Sequence, residues 1–508
     1  MDLLSGLELG LVTALQPSNL LYAFVGVILG QAIGVLPGIG AMTAISLLLP
    51  ITFYLGPTQS LIMLGGIYYG SQYGGAIASI LLRVPGTPTA IVTCLEGYPM
   101  ARRGEAGKAL KLSAIASFFG STVGMVIVLL GALPLARFAL NFTAAEYFSI
   151  MLLGLVGASV MCSGSAVRAL SMTVLGLLLG LVGTDVNTGV YRFVPHDAFA
   201  DGISMVAMAM GIFGVAELLN NVGAASKAFV DPNGLGRPTA FSWRELRRLS
   251  RAAWRGSLIG SVLGALPGTG AAIATFISYA AERRISKHPE EFGSGRPEGL
   301  VAPEAANNAG AITAFIPTLT LGIPGDPVMA LMLGAMIING VTPGPGVITE
   351  HPELFWGVIV SFLIGNLILL VLNLPLIRLW VRFLSIPYWA LYPIVLICLV
   401  VGVYSFRNSI ADVYTTLAFG LIGVLMARLS FPPAPLLLGF ILGPMLEENL
   451  RRAMLLYDGD LTIFFTRPLS AVFMVATLAL LAIPAVAALR RATGGRRRLA
   501  SELGGDEL

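Results

Sequence analysis

Long apolar stretches alternate with short polar connections along most of this chain. Each stretch has about the 17–25 residues that a helix needs to cross the hydrocarbon core of a bilayer. The pattern predicts spanning helices over residues 112–134, 144–162, 166–184, 203–220, 354–377, 388–404, 410–427 and 468–489, with a shorter helix over 434–447. We therefore expect an all-α, polytopic membrane protein.

Two further apolar segments, residues 20–97 and 256–345, are interrupted by Gly and Pro, which are costly inside helices. These two segments also resemble each other. Three short motifs recur: 36–41 (LPGIGA) as 266–271 (LPGTGA) at an offset of 230, 75–77 (GAI) as 310–312 at 235, and 84–88 (VPGTP) as 323–327 (IPGDP) at 239. The recurrence predicts an internal duplication in which each copy contains broken or re-entrant helices.

The duplication gives a prediction for the organisation of the whole chain. We divide it into an N-terminal segment (1–19), a first repeat (20–222, with broken segments 20–97 and spans 112–220), a basic cytoplasmic linker (223–253), a second repeat (254–447, with broken segments 256–345 and spans 354–447), a C-terminal loop and span (448–489) and a cytoplasmic tail (490–508).

Composition supports the membrane assignment. Charged residues make up 11% of the 508 residues and apolar residues 56%, whereas soluble domains average about 25% charged residues. This balance argues against the cytosolic enzyme classes. The basic residues cluster in the connections 102–111, 227–255 and 283–287 and in the tail 490–498, which we assign to the cytoplasmic side. They are interpreted as solvated loops, and nothing in them indicates nucleic-acid binding.

The loop charges differ between the two copies. The loop after VPGTP is basic (102–111), but the loop after IPGDP (342–353) has no Lys or Arg. Conversely, the loop between the two breaks is uncharged in the first copy (53–60) and basic in the second (283–287). Equivalent loops on opposite sides are typical of inverted repeats. A chance distribution of a few arginines is the alternative.

Other chemistry is sparse. Cys94, Cys162 and Cys398 are isolated in apolar stretches and are expected to be small core residues. The three histidines lie far apart in predicted loops, and neither HExxH nor GxxxxGK[ST] occurs, so we predict no enzyme and no ATPase. Asp2 and Glu8 stand where a secretory signal has positive charge, so no cleaved signal peptide is expected.

The matched breaks predict a binding site. Discontinuous helices offer half-helix N-termini that attract anions, while unwound carbonyls suit cations. Kinks or close helix packing, where Gly is also frequent, are the alternative interpretation. The candidate substrate-binding residues are Gly38, Gly40, Thr43, Ser71, Gln72, Pro85, Gly86, Thr87, Gly268, Thr269, Gly270, Asn307, Asn308, Pro324 and Gly325.

Acidic and basic residues at the breaks suggest ion coupling. Asp326 is a candidate proton carrier or Na⁺ ligand, with Thr313 as a second ion-coupling residue. The same position also suits Asp326 as the N-cap of a half-helix over 328–338. Arg83 is a candidate partner for a substrate carboxylate, or it snorkels or binds a neighbouring carbonyl. Glu304 is expected near the membrane face, where it is less informative.

The motif residues resemble a known family. Residues 34–40 (GVLPGIG), 68–75 (YYGSQYGG) with 84–88, and 303–309 (PEAANNA) with 323–327 resemble the large membrane subunit of the tripartite tricarboxylate transporters, and the similarity extends over about residues 15–485. The resemblance implies a bacterial inner-membrane permease for citrate-like di- and tricarboxylates, driven by Na⁺ or H⁺ and needing no cofactor.

Two partners are implied by the same resemblance: a small membrane subunit of about four spans and a periplasmic binding protein that delivers the organic acid. Related carriers move a binding domain as an elevator, so an elevator-type carrier is expected. A passive organic-anion channel lined by the same half-helix dipoles is the alternative.

Overall fold

The structure, a computed structural model, describes residues 2–36, 40–162, 165–185, 187–220, 243–267, 270–384 and 388–483. Helices dominate this part of the chain. The helices of its N-terminal half are α1 Leu3–Ala14, α2 Pro17–Val35, α3 Ala41–Thr52, α4 Pro57–Leu82, α5 Ile91–Met100, α6 Ala106–Ala139, α7 Ala144–Met161, α8 Ala166–Gly180, α9 Met205–Ala209 and α10 Ala216–Asn220.

The C-terminal half continues in the same way. Its helices are α11 Trp243–Gly264, α12 Gly270–Ile285, α13 Pro297–Thr313, α14 Phe315–Leu321, α15 Pro327–Ile338, α16 Val347–Glu350, α17 Pro352–Asn373, α18 Ile377–Phe383, α19 Tyr388–Arg407, α20 Ile410–Arg428, α21 Pro433–Leu456, α22 Ile463–Thr466 and α23 Pro468–Ile483. The strands β1 Gly183–Thr184 and β2 Tyr191–Arg192 form a short antiparallel hairpin.

Several short irregular helical segments connect these elements. Three are 3₁₀ turns, at Pro88–Ala90, Asp197–Phe199 and Pro289–Glu291. Met210–Val215, between α9 and α10, is a π-helix. Ala101–Glu105, between α5 and α6, bends at Gly104, whose φ of 81° lies in the left-handed region.

Five helical stretches of the described chain are long and apolar enough to cross a bilayer: Pro17–Val35, Pro88–Ala139, Ala144–Met161, Pro352–Asn373 and Ile410–Arg428. Shorter apolar helices accompany them. The prediction of an all-α protein with several membrane spans is therefore confirmed. One predicted span, 166–184, ends earlier than expected because α8 stops at Gly180, and β1 follows at Gly183 with a φ of 126°.

The chain forms two compact units. The first contains Met1–Asn141 and Val182–Leu429, and the second contains Phe142–Leu181 and Ser430–Leu508. In the second unit, α8 packs closely on α21, where Gly439 faces the Thr173 carbonyl oxygen. An ion pair of 2.6 Å joins Arg467 to Glu146 in the same unit. Both broken segments belong to the first unit, and each unit takes helices from both predicted repeats.

Glycines allow α2 to pack backbone to backbone on α4. Three glycines at every fourth position of α2 face carbonyl oxygens of α4, and a Cβ at any of them would collide with that oxygen. The facing pairs are Gly26 with Met63, Gly30 with Ile67 and Gly34 with Ser71. The close approach therefore depends on the absence of a side chain.

The helices α11 and α13 pack in the same way. Three glycines of α11, again at every fourth position, face backbone carbonyl oxygens of α13. The pairs are Gly256 with Ala302, Gly260 with Ala306 and Gly264 with Gly310. The helices that follow the VPGTP and IPGDP motifs, α5 and α15, are the half-helices of the two broken segments. Each contacts the other segment: α5 lies against α12 and α13, and α15 lies against α3 and α4.

The predicted basic linker, 223–253, differs from what the structure describes. Residues 221–242 lie outside the described residues, and the remainder belongs to α11, which begins at Trp243. Leu249 and Ala253 recur at helical spacing and are buried, so Arg251 between them lies on a helix instead of in a loop. Arg255 forms two hydrogen bonds, of 2.9 and 2.6 Å, with the carboxylate of Glu282 on α12.

Candidate functional site

The breaks at the VPGTP and IPGDP motifs begin with the same backbone conformation. The helix α4 ends at Leu82 with Arg83 in the left-handed conformation (φ 58°), and α14 ends at Leu321 with Gly322 in that conformation (φ 69°). The two left-handed residues are 239 positions apart, the same offset as the VPGTP and IPGDP motifs. Each break then passes through Pro-Gly into a new helical segment whose first residue is proline.

Asp326 stands at the start of the second half-helix. Its Oδ1 atom accepts a hydrogen bond of 2.8 Å from the backbone N–H of Met329, so Asp326 is the N-cap of α15. The hydroxyl of Tyr68, on α4, donates to Oδ2. A Cβ built on Gly270, at the start of α12, would lie 3.5 Å from the Asp326 Cβ. The two breaks of the second segment therefore meet beside Asp326, which is 5% exposed.

Hydroxyl and amide groups line the first break. The Thr89 hydroxyl donates to Gln72 Oε1 at 2.6 Å and lies 2.9 Å from the Thr87 hydroxyl. Gly86 lies against the Gly34 carbonyl oxygen. The break thus packs tightly on the end of α2, and its polar side chains form a hydrogen-bonded chain.

The N-terminus of α3 follows the other interruption of the first segment. Gly40 is its N-cap and provides no side-chain hydrogen bond. A Cβ at Gly40 would meet no described atom within 4 Å. Thr43, in the first turn, donates a hydrogen bond of 2.9 Å to the Phe213 carbonyl in the π-helix Met210–Val215.

Buried polar side chains line α13. Within the described residues, neither amide atom of Asn307 has a hydrogen-bond partner, although this residue is 1% exposed. The adjacent Asn308 donates through Nδ2 to the Glu304 carbonyl at 3.0 Å, and its Oδ1 has no partner there. Glu304 itself accepts hydrogen bonds from the hydroxyls of Thr93, on α5, and Ser117, on α6.

The hydroxyls of two other predicted site residues donate to backbone carbonyls of their own helices. Ser71 donates to the Tyr68 carbonyl at 2.6 Å, and Thr313 donates to the Ala309 carbonyl at 3.0 Å. Thr313 packs against Gly264 and forms no hydrogen bond with Asp326. Its hydroxyl therefore serves its own helix in this structure.

The remaining predictions fall into three groups. Pro324 and Gly325 are buried and Pro85 is half-buried at the breaks. Arg83 is exposed, and its guanidinium lies 5.7 Å from the ring centre of Tyr98. Gly38, Gly268 and Thr269 lie outside the described residues.

Sequence reasoning underrated Glu304 and missed Tyr68, Thr89, Thr93 and Ser117. Glu304 was expected near the membrane face and to be less informative; its depth in the membrane stays a prediction, and the residue is 1% exposed within the protein. Its neighbours come from helices that are distant in sequence, since 211 residues separate it from Thr93. The sequence signal that could have identified it is its position one turn before the Asn307–Asn308 pair.

Both buried acids lack a basic partner. No Lys, Arg or His of the described chain forms an ion pair with Asp326 or Glu304. A buried carboxylate without a paired cation is expensive, so such groups inside a membrane protein mark functional positions. The arrangement can bind a cation or a proton at the acids and an anion at the unpaired amides and helix ends.

The fold and this site define a multi-pass membrane protein with a polar interior at paired helix breaks. The family model described as "Tripartite tricarboxylate transporter TctA family" matches residues 20–438, and the chain belongs to that family. It is a transporter family whose members work with a binding protein and a small subunit.

Two proteins of Agrobacterium vitis are similar to this chain. The "Uncharacterized 52.8 kDa protein in TAR-I ttuC' 3'region" is 49% identical over 493 residues, which cover 96% of this chain and 98% of that protein. The "Uncharacterized protein in TAR-II ttuC' 3'region" is 56% identical over 212 residues, which cover 42% of this chain and 88% of that protein. No solved structure matches the chain.

Proposed function

We propose that this chain is the large permease subunit of a secondary transporter that imports di- and tricarboxylates, such as citrate, across the bacterial inner membrane. A periplasmic binding protein delivers the organic acid, a small membrane subunit of about four spans completes the complex, and a Na⁺ or H⁺ gradient drives uptake. Membership of the family supports the class of cargo. The chain itself performs no catalysis and hydrolyses no ATP in this proposal.

The unpaired amide of Asn307 carries the proposal. Leaving a buried polar group without a partner costs about 1–3 kcal/mol. Within the described residues, both Nδ2 and Oδ1 of Asn307 lack a hydrogen-bond partner. A bound ligand removes the cost. The Nδ2 group donates to a carboxylate and Oδ1 accepts from a hydroxyl, and hydroxyl and carboxylate groups together characterise citrate-like acids.

Two helix ends support binding of an anion. Neither Gly40, before α3, nor Thr87, before Pro88–Ala90, caps its helix with a side-chain hydrogen bond. At Pro88–Ala90 the Ala90 N–H bonds to the Thr87 carbonyl and Pro88 has no N–H, so Thr89 supplies the N–H group there. The first N–H groups of α3 and the positive ends of the helix dipoles favour negative charge. The start of α15 differs, because Asp326 occupies its N–H groups. We assign the substrate to the uncapped ends of the first copy.

The glycine–carbonyl packing of α2 on α4 and of α11 on α13 supports the duplication. The glycines of α2 and α11 correspond at an offset of 230, and their facing carbonyls on α4 and α13 correspond at 239. This matching aligns Ser71 with Gly310, whereas the GAI motif had aligned Gly75 with Gly310, one helical turn away. We propose that the copies are inverted in the membrane and that the binding region moves as an elevator, with the loop charges as the argument for inversion.

The coupling cation is assigned to a buried carboxylate of the second copy. Asp326 is the acid nearest the break, and Tyr68 and Met329 hold both of its oxygens. A Na⁺ ion there would use the carboxylate and unwound carbonyls as ligands. A proton would instead neutralise the acid.

The proposal is tested with the complete complex in proteoliposomes, using labelled citrate, other organic acids and imposed Na⁺ or pH gradients. A carrier gives saturable exchange of labelled for unlabelled acid, whereas the alternative, a passive anion channel, shows no trans-stimulation. Asn307→Leu should raise the substrate concentration for half-maximal uptake without lowering folded yield. Asn141→Ala, which changes an exposed amide, is the control. Unchanged kinetics in Asn307→Leu would contradict the assigned site.

A further inference from the structure

We propose that Glu304 is a proton-binding site, and that its protonation couples the pH gradient to transport. This inference rests on the proposed function and deepens it: where the driving ion is a proton, it assigns that proton to Glu304, outside the Pro-Gly breaks, and leaves Asp326 as the candidate Na⁺ ligand. The reaction is simple: one proton adds to the carboxylate and gives a neutral carboxylic acid, with no other bond formed or broken.

Hydroxyl groups donate to the carboxylate of Glu304, and two titratable side chains, Tyr73 on α4 and Cys94 on α5, also interact with it. Thr93 Oγ1 donates to Oε1, and Ser117 Oγ donates to Oε2 at 3.0 Å. Ser113, one turn before Ser117 on α6, is a third hydroxyl that interacts with the same carboxylate. Across the described ranges no positively charged side chain pairs with Glu304. Within the described residues, the donors to this carboxylate are all hydroxyl groups.

A comparison with Glu96 shows why the hydroxyls matter. Glu96 is equally buried and also accepts from one hydroxyl, that of Tyr279 at 2.8 Å, but its three other donors are the backbone N–H groups of Gly293 (2.5 Å), Gly295 (2.7 Å) and Arg296 (2.7 Å). Backbone N–H groups only donate, so a proton on Glu96 would leave donors facing a hydroxyl. These three backbone donors tie Glu96, and with it α5, to the turn before α13.

The hydroxyls around Glu304 can reverse the direction of their hydrogen bonds. A hydroxyl donates to a carboxylate and accepts from a carboxylic acid after rotating its hydrogen, so both states of Glu304 keep their partners. Asn308 supplies a further acceptor on the same face of α13, since its Oδ1 is buried and unpaired. Asp326 lacks this freedom at Oδ1, which is fixed by the Met329 N–H.

The position of Glu304 connects a proton to helix movement. Its carboxylate joins three helices, because Thr93 lies on α5, Ser117 on α6 and Glu304 on α13. Charge-assisted hydrogen bonds are roughly twice as strong as neutral ones. Protonation therefore weakens the contact between the first half-helix and α13, and deprotonation restores it.

The first test detects the proton directly. Infrared difference spectra of the purified complex, recorded at a series of pH values, should show the C=O stretch of a buried protonated carboxyl group. That band should be absent in Glu304→Gln and present in the control Glu105→Gln, which changes an exposed acid. Persistence of the band in Glu304→Gln would overturn the proposal.

A second pair of variants covers the case in which Glu304→Gln does not fold. Thr93→Val and Ser117→Ala keep the acid but remove donors to its charged form. Each should move the midpoint of the infrared titration to higher pH. An unchanged midpoint in both variants would also overturn the proposal.

The transport test separates this inference from the proposed function. At zero membrane potential, one pH unit supports about tenfold accumulation of labelled citrate if one net proton drives each step. Glu304→Gln should retain citrate exchange but lose this accumulation. Retained accumulation, or a wild-type complex that responds to Na⁺ and not to pH, would overturn the role of Glu304. Absence of exchange with citrate and every other acid of the panel in the wild type would instead reject the proposed function.

Discussion

Tyr68 donates a hydrogen bond to Asp326 although 258 residues separate them in the chain. The pair joins the middle of α4 to the start of the half-helix α15. A buried tyrosine hydroxyl needs a hydrogen-bond partner, and the Asp326 carboxylate is that partner. This hydrogen bond therefore links the first broken segment to the IPGDP break of the second.

Asp326 should tolerate Asn better than Ala in folding. Asn is as good an N-cap as Asp, whereas Ala removes the cap and costs about 1 kcal/mol. Asp326→Ala should therefore lower the midpoint of thermal unfolding more than Asp326→Asn does, as measured on purified complex in detergent. In Asp326→Asn the rate of uptake should fall more than the folded yield. Equal uptake per folded molecule would remove the charge of Asp326 from the mechanism.

The glycine contacts should be sensitive to a single methyl group. Gly30→Ala and Gly260→Ala each place a Cβ against a backbone carbonyl oxygen, and such overpacking costs about 1–3 kcal/mol. Both should reduce the thermal midpoint and the yield. Gly131→Ala is the matched control, since its Cβ would lie 3.9 Å from the nearest atom, a methyl of Ile316. If Gly30→Ala were as stable as this control, the close approach of α2 and α4 would be wrong.

Gly40→Leu should show the opposite behaviour. The space beside Gly40 contains no described atom within 4 Å, so the larger side chain should fit without loss of folded yield. Because the uncapped end of α3 is assigned to the substrate, the same side chain should block uptake of labelled citrate. Uptake at the wild-type rate would show that the substrate does not approach α3 there.

Glu96 should matter for stability and not for coupling. In Glu96→Gln, one of two oxygens is replaced by a donor that faces backbone N–H groups, which should cost about 3 kcal/mol. We expect a lower thermal midpoint and faster proteolysis within residues 292–296. The variant that folds should still accumulate citrate along a pH gradient. Loss of accumulation at normal stability would contradict the comparison with Glu304.

Cysteine labelling tests the inverted arrangement. Arg102→Cys and Thr349→Cys place exposed thiols in equivalent loops of the two copies, in a chain whose three native cysteines are replaced by Ala. A membrane-impermeant maleimide should label position 349 in intact spheroplasts and position 102 only after permeabilisation. Labelling of both from the same side would refute the inversion.

The sequence predicted local features better than helix rotation and distant contacts. Asp-Pro at 326–327 predicted both the start of α15 and its cap, because capping depends on neighbouring residues. By contrast, the ion-coupling role of Thr313 stays a prediction, and its packing on Gly264 of α11, with its hydroxyl bonded to Ala309, is a distant contact that the local pattern did not indicate. The burial of Glu304 also depends on partners elsewhere in the chain, so the Asn307–Asn308 pair one turn later could mark its position but not its neighbours.

The left-handed end of α4 has a mechanical consequence. Glycine occupies the corresponding place at Gly322, where this conformation is inexpensive, but the first copy has Arg83 at φ 58°. Its guanidinium stacks over Tyr98 on α5, beyond the Pro-Gly turn. The Arg83–Tyr98 contact therefore links α4 to α5 across the first Pro-Gly turn, whereas Gly322 has no side chain with which to make the corresponding contact.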